Sequence, residues 1–322
     1  MQYVGLHTQQ ARNNFRSVLL LCLFPCLVIL LTFLFCVLFV FFTNEEGDMS
    51  LVWEQSLQMA LYLIPYVLIA VVLWFVIAYF ANTAIINSAT GAQPLARKEN
   101  KRIYNLVENL CMTKGMPMPK VNIIEDGALN AYASGINNRT YTVTLTRGII
   151  DKLDEEELEG VIAHELSHIR NRDVRLLIVS IVFVGIFAML TQFTFRILLS
   201  SSGRSKGGKD GKGAGVALLI ALAVAVIGYF FASLMRFAIS RKREYLADAG
   251  AVEMTRRPRA LAGALRKISQ NPNVEAIKRS DIAQLFIEHP LKKEGGGFFA
   301  GLSGLFATHP PIKKRIALLE QF

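Results

Sequence analysis

The stretch EGVIAHELSHIRNRDVRLL, residues 159–177, determines how the rest of the chain is interpreted. His164 and His168 are four residues apart, a spacing that on a helix places both side chains on one face, one turn apart. Two imidazoles placed in this way can bind the same metal ion. Glu165 can reach a water at that metal without being a ligand itself. The stretch therefore predicts a metal site, provided that a third ligand comes from elsewhere.

The residues around the histidines favour a helix preceded by a small sheet. Asp154 can cap the helix, and the acidic run 155–157 suits its positive N-terminal end. Upstream, TYTVTLT at residues 140–146 alternates apolar residues with threonines, which predicts a half-buried strand. The pair at 137–138, Asn-Asn, predicts a turn before that strand. The apolar stripe expected along the helix consists of Leu158, Val161, Ile162, Leu166 and Ile169.

A third ligand is offered by SRKREYLADAGA, residues 240–251, which predicts another helix. Glu244 and Asp248 lie on one face of it. Glu244 can complete a site of two histidines and one glutamate, while Asp248 can hydrogen-bond an imidazole from behind. The alternative is a charged, solvated start of a helix. The metal interpretation is favoured because the pair of apolar runs that precedes this helix returns the chain to the place where the first helix left it.

Four apolar runs predict a multi-pass membrane protein. Hydrophobic residues make up 52% of the 322 residues, and each run is long enough to cross a hydrocarbon core of about 30 Å. We expect an anchor over residues 1–94, with two of the runs, and a polar domain over 95–322 that the other two interrupt. The fold class expected is α+β, mostly helical, with a small sheet. The four runs are residues 17–43, 57–82, 174–200 and 214–239.

The net charge of +10 is explained by basic residues at the ends of the apolar runs. Loop 44–56 has acidic residues and no Lys or Arg, so the positive-inside rule predicts a cytoplasmic N-terminus and cytoplasmic polar domain. The segment 201–215 is rich in glycine and lysine and is expected to be a flexible loop. The runs on either side of it form either a spanning pair, which we favour, or a re-entrant hairpin. No recognition motif supports a nucleic-acid partner.

Three motifs, taken in order, resemble those of the HtpX family of membrane zinc metalloproteases. They are HELSHIRNRD at 164–173, EYLADAGA at 244–251 and FATHPPIKKRI at 306–316. Two anchors precede the first motif and a hydrophobic pair separates it from the second, so the resemblance covers nearly the whole chain. This family belongs to the gluzincins and is related to the CAAX prenyl endopeptidases. The resemblance implies a gluzincin-type domain.

The resemblance also implies roles for individual residues. His164, His168 and Glu244 correspond to the ligands of one zinc ion per chain, Glu165 to the catalytic base and Asp248 to a supporting carboxylate. It implies a bacterial inner-membrane endopeptidase whose catalytic domain faces the cytoplasm. Its partners would be the lipid bilayer and its substrates damaged, unfolded or misassembled membrane proteins, removed as part of quality control and the stress response.

Further residues have a functional and a structural interpretation. His309, in THPP, is a candidate to stabilise the tetrahedral oxyanion, or a loop histidine fixed by two prolines. Asn130 and Ala131 resemble the family's edge segment, where a substrate strand can pair through its backbone. Arg315 either orients a peptide carbonyl or pairs with an acid. The segment 292–307 has no clear counterpart in the family pattern.

Three other functions compete with an endopeptidase. A membrane scaffold with a degenerate site is disfavoured because Glu165 is intact. A selective prenyl-protein processing enzyme shares the chemistry but usually encloses its site within more membrane helices than the four predicted here. A transporter is disfavoured because the apolar runs carry few internal charges and no inverted repeat. No feature of the sequence specifies an oligomeric state.

Overall fold

The computed structural model describes residues 6–44, 48–202, 209–237, 242–274, 285–288 and 310–321. The chain forms two compact units. One comprises residues 1–17, 80–178 and 237–322, and the other comprises residues 18–79 and 179–236. The predicted metal-binding stretch therefore belongs to the first unit, together with the start of the N-terminal helix.

Helices predominate among the described residues, and four short strands accompany them. The helices are α1 (Leu6–Thr43), α2 (Met49–Thr90), α3 (Lys101–Lys114), α4 (Arg147–Lys152), α5 (Glu155–Asn171), α6 (Asp173–Ser202), α7 (Lys209–Phe237), α8 (Lys242–Thr255), α9 (Pro258–Ile268) and α10 (Ile312–Leu319). The strands are β1 (Gln93–Pro94), β2 (Lys120–Ile124), β3 (Ala131–Ser134) and β4 (Thr142–Thr146).

Helices α1, α2, α6 and α7 are each long and apolar enough to cross a membrane. They contain the predicted apolar runs 17–43, 57–82 and 174–200 and the described part of the fourth run, residues 214–237. The expected class of a mostly helical, multi-pass α+β protein is confirmed. One detail of the prediction was wrong. Helix α6 continues to Ser202 and α7 already begins at Lys209, so helix extends into both ends of the supposed loop 201–215. Extending an existing helix fixes only one more residue for each added hydrogen bond. The free energy gained in this way outweighs the low helix propensity of the glycines.

Aromatic packing forms the interior of the second unit. Phe24 is fully buried, stacks on Phe183 with ring centroids 4.1 Å apart, and meets Phe75 edge-on at 5.6 Å. Gly228 allows a further close contact, because a Cβ there would collide with the ring of Phe187. Close packing of this kind holds helices together in lipid, where the hydrophobic effect between helices is absent.

The sheet lies in the first unit and has the strand order β1-β2-β4-β3. Strand β4 pairs in parallel with β2 and antiparallel with β3, whereas β1 pairs antiparallel with β2. The strand predicted within residues 140–146 is present as β4, but all five of its residues are buried, so the predicted half-burial was wrong. Two of its threonines have local partners: Thr142 donates to the Thr140 carbonyl at 3.1 Å and Thr146 to the Ala128 carbonyl at 2.6 Å.

Helix α5 packs against α8 and α9 through small residues. A Cβ on Gly250 of α8 would lie 2.6 Å from the Ser167 Oγ on α5, and one on Gly160 of α5 would lie 3.3 Å from Leu261 on α9. The absence of side chains at these glycines therefore permits a close approach of the backbones. Because Glu244 precedes Gly250 on α8, this approach brings its carboxylate to the histidines of α5.

We predict that Gly250→Ala lowers the free energy of unfolding by about 1–3 kcal/mol, because the added methyl group overpacks the contact with Ser167. In a Ser167→Gly background the same replacement is expected to be neutral or stabilising, since alanine is the better helix former by about 1 kcal/mol. Thermal unfolding of the detergent-solubilised chain measures both effects. Equal losses in the two backgrounds would show that this contact does not limit the approach of α8.

Candidate metal centre

Helix α5 is fixed at both ends, which sets the direction of its histidines. At its start, the Asp154 carboxylate accepts from the Glu157 amide at 2.9 Å, and the Glu157 carboxylate accepts from the Asp154 amide at 3.1 Å, forming a capping box. At its end, Arg172 adopts a left-handed conformation with φ 61°. The predicted cap and apolar stripe are present, and residues 160–169 are all buried. The two histidines therefore project from α5 into the protein interior.

The structure brings His164, His168 and Glu244 together in a buried cluster. The two Nε2 atoms are 3.2 Å apart. The Glu244 carboxylate oxygens lie 3.6 Å from the Nε2 of His164 and 3.7 Å from that of His168. Ligand bonds of about 2.0–2.1 Å in a tetrahedron require donors roughly 3.4 Å apart. The side chains present therefore fit a tetrahedral ion with one position left open.

Each histidine is held from behind by a carboxylate. Asp248 lies 3.0 Å from the Nδ1 of His164, as predicted for a supporting acid, and Asp173 lies 3.2 Å from the Nδ1 of His168. A carboxylate at Nδ1 keeps the proton there and leaves the Nε2 lone pair for the metal. The sequence analysis gave no role to Asp173. Its role could have been predicted from its position, because Asp173 is the first residue of an apolar helix and follows the second histidine by five residues.

Arg315 lies inside this cluster with only 1% of its surface exposed. Its Nε and Nη2 donate to the two Asp248 oxygens at 2.9 and 2.7 Å, and its Nη1 donates to the Ile287 carbonyl at 3.3 Å. Burial alone would raise the pKa of Asp248, but Arg315 and His164 outweigh it and hold that pKa at about 2. Of the two predicted roles for Arg315, pairing with an acid is the one observed.

Charges around the donors favour a cation. Burial lowers the pKa of His168, yet Glu244 and Asp173 overcome this effect and raise the pKa to about 10. The pKa of Glu165 is raised by burial, and the positive field of His164 and His168 opposes this rise. A metal ion at the donors would add to that positive field, lower the pKa of Glu165 and favour its ionised form.

Glu165 and two of the three donors line one cavity. Its lining includes Glu165, His168, Glu244, Arg243 and Ala133. Glu165 itself is 1% exposed and does not belong to the donor cluster. A carboxylate that lines the cavity beside the metal donors without being one of them has the position expected of a base.

The predicted substrate edge is strand β3, which pairs with β4 on one side only. On its other side the chain's own residues approach: the Ile287 amide donates to the Ala131 carbonyl at 2.9 Å, and Phe286 bridges Tyr132 in antiparallel fashion. The Asn130 side chain is also engaged, because its amide donates to the Pro272 and Glu288 carbonyls. The segment 285–287, which also lines the cavity, therefore lies along the edge predicted for substrate.

Two predicted features lie outside the described residues. His309 and the segment 292–307 belong to the range 289–309. The proposed role of His309 at the oxyanion stays a prediction.

A helical His-Glu-x-x-His pair, a glutamate from a second helix and a separate carboxylate in the same cavity define the class of metallopeptidases. The profile of Peptidase family M48 matches residues 97–322. A Protease HtpX homolog of Bacteroides fragilis is 65% identical over the full length of both chains. A Protease HtpX homolog of Lactobacillus helveticus is 35% identical over 98% of this chain and 99% of its own.

This chain belongs to peptidase family M48, and the resemblance noted in the sequence is confirmed. It is a metalloprotease of a bacterial membrane, with proteins as its substrates. Among solved structures, the crystal structure of S. mikatae Ste24p aligns with 79% of this chain and 57% of its own, with a TM-score of 0.46 and 20% identity.

Proposed function

We propose that the protein is a zinc-dependent endopeptidase that cleaves damaged or misassembled membrane proteins at the cytoplasmic face of the inner membrane. The observation that carries the proposal is the convergence of three buried donors, two of which, His168 and Glu244, line one cavity with Glu165. Two imidazoles and one carboxylate in a tetrahedral arrangement suit zinc, and an open fourth position is typical of catalytic rather than structural sites.

His164, His168 and Glu244 would hold the zinc ion, which would supply Lewis acidity toward the scissile carbonyl and would lower the pKa of a water toward neutrality. Glu165 accepts the proton of the attacking water and later delivers it to the departing amine. Asp248 and Asp173 keep the imidazole Nε2 lone pairs directed at the donor site. Because the attacking nucleophile is this water and not a side chain, the hydrolysis proceeds without a covalent enzyme intermediate.

Recognition through the backbone supports a quality-control role. A substrate that pairs with β3 contributes main-chain hydrogen bonds, which are insensitive to its sequence. A protease that reads an extended backbone selects for unfolded segments, since folded segments have used these groups already. The name of the relatives, Protease HtpX homolog, is consistent with this activity.

The orientation is inferred from charge. Arg12 and Arg16 precede the apolar run of α1 and Arg97 and Lys98 follow α2, while the connection between α1 and α2 is acidic. From the positive-inside rule we infer that the metal cavity faces the cytoplasm. A scaffold function is disfavoured by the retained and buried Glu165.

The central prediction concerns Glu165→Gln. We expect about one zinc per chain to be retained, because Glu165 is not a donor, and hydrolysis of an unfolded model protein to fall by about 10²–10⁴-fold. Glu156→Gln, a change of an exposed glutamate on the same helix, serves as the control and is expected to keep both properties. Metal analysis and a proteolysis assay on the same samples measure the outcome. Full activity of Glu165→Gln would contradict the mechanism.

A second prediction tests where substrate pairs. We propose that a substrate strand replaces segment 285–287 on the edge of β3. Phe286 is fully buried and packs on Tyr132, with ring centroids 4.7 Å apart. Phe286→Ala should therefore release the segment, so that KM for an unfolded substrate falls several-fold while kcat is unchanged.

The control for this experiment is Ile268→Ala on α9. This change also removes a fully buried side chain, but it lies outside the cavity lining. We expect it to lower thermal stability without lowering KM. A higher KM in Phe286→Ala would show instead that segment 285–287 is a permanent part of the substrate site.

A further inference from the structure

The support of His168 extends to the beginning of the chain. Asp173 uses its Oδ2 to hold the Nδ1 of His168 at 3.2 Å. Its other oxygen, Oδ1, accepts from the Asn13 side-chain amide at 2.5 Å. Asn13 belongs to α1, 160 residues before Asp173, and both residues lie in the first compact unit. A continuous chain of polar contacts thus links α1 to a metal donor.

We propose that Asn13 is a positioning residue for the metal ligand His168 and acts through Asp173. This inference rests on the proposed zinc centre. It assigns a part of that centre to the N-terminal helix, outside the residues 97–322 that the family profile matches. The helix is then more than a membrane anchor, because one of its side chains orients a metal ligand.

The hydrogen-bonding capacity of Asn13 fits this role. Its amide nitrogen has two protons, one directed to Asp173 and the other to the Asn171 carbonyl at 2.9 Å. The second bond caps the last turn of α5, so one amide fixes both the end of the ligand helix and the rotamer of Asp173. Asn13 and Asp173 are each 2% exposed, and water does not replace either bond at low cost.

An uncharged amide suits this position better than a cationic donor would. Asn13 stabilises the Asp173 carboxylate without adding a positive charge that would compete with His168 for it. Asp173 therefore remains a strong acceptor for the Nδ1 proton, which keeps the Nε2 lone pair of His168 directed at the metal.

A neighbouring residue supplies a matched control. Gln10, also on α1, donates through its side-chain amide to the Arg170 carbonyl at 2.8 Å. This bond attaches the same helix to the same end of α5, and within the described part of the chain Gln10 makes no hydrogen bond to Asp173 or His168. If the role of α1 is only to pack against the end of α5, Gln10 and Asn13 should be equivalent.

The test is zinc affinity of the full chain in detergent, measured by competition with a fluorescent chelator. We expect Asn13→Ala and Asp173→Asn each to weaken binding by about 10–100-fold, the loss typical of partners behind a metal ligand. Gln10→Ala should keep wild-type affinity. The double variant Asn13→Ala/Asp173→Asn should bind no more weakly than Asp173→Asn alone, because Asn13 acts through that carboxylate. With cobalt in place of zinc, the visible absorption bands should change in Asn13→Ala and not in Gln10→Ala.

Unchanged affinity in Asn13→Ala, equal losses in Asn13→Ala and Gln10→Ala, or full additivity with Asp173→Asn would each overturn the inference. Thermal unfolding at saturating zinc identifies any variant that fails to fold, and Asn13→Ser then provides a smaller change that keeps one donor. If the wild type binds no zinc, the proposed function fails and the inference fails with it. Zinc bound by the wild type and by Asn13→Ala with equal affinity contradicts the inference alone.

Discussion

An excess of buried negative charge is the constraint on which the centre depends. Four carboxylates, those of Glu165, Asp173, Glu244 and Asp248, are each at most 5% exposed. Two guanidinium groups share their surroundings, Arg315 against Asp248 and Arg243 against Glu244 at 3.3 Å. When both imidazoles are neutral, as metal binding requires, and all four carboxylates are ionised, the described part of the cluster carries two more negative charges than positive ones. Buried charges of this kind are stable only when they are compensated, and one divalent cation provides the compensation.

The fold serves this cluster by bringing distant segments together. The histidines come from α5, Glu244 and Asp248 from α8, Arg315 from α10 and Asp173 from the first turn of α6. Glycines on α5 and α8 allow the helices to approach, and the caps of α5 fix its rotation. The resulting donor separations of 3.2–3.7 Å are therefore a consequence of helix packing rather than of the His-Glu-x-x-His spacing alone.

Much of the site could be predicted from local patterns. The i, i+4 spacing of His164 and His168, the cap at Asp154 and the apolar stripe of α5 are properties of one helix, and Glu244 follows from the periodicity of another. The four spanning-length helices follow from hydropathy. Each of these features is determined by residues close to one another along the chain, so it can be predicted from a short stretch of sequence.

The remaining features depend on contacts between residues far apart in sequence. The bond from Asn13 to Asp173 spans 160 residues, and neither residue type is unusual in its position. The covering of β3 by residues 285–287 depends on the return of a segment about 155 positions later. The burial of β4 depends on packing against other elements, among them α5. The continuation of α6 and α7 into segment 201–215 reflects cooperativity of the helix, which outweighs composition.

The most direct test of the central claim is X-ray absorption at the zinc edge of the full chain purified in detergent. The structure predicts a four-coordinate ion with two imidazole nitrogens at about 2.0–2.1 Å and oxygen ligands at about 2.0–2.2 Å. The imidazole scattering should be lost in His164→Ala/His168→Ala. A sulfur neighbour at about 2.3 Å, or a shell of oxygens without imidazole, would contradict the assignment of His164, His168 and Glu244 as the metal centre.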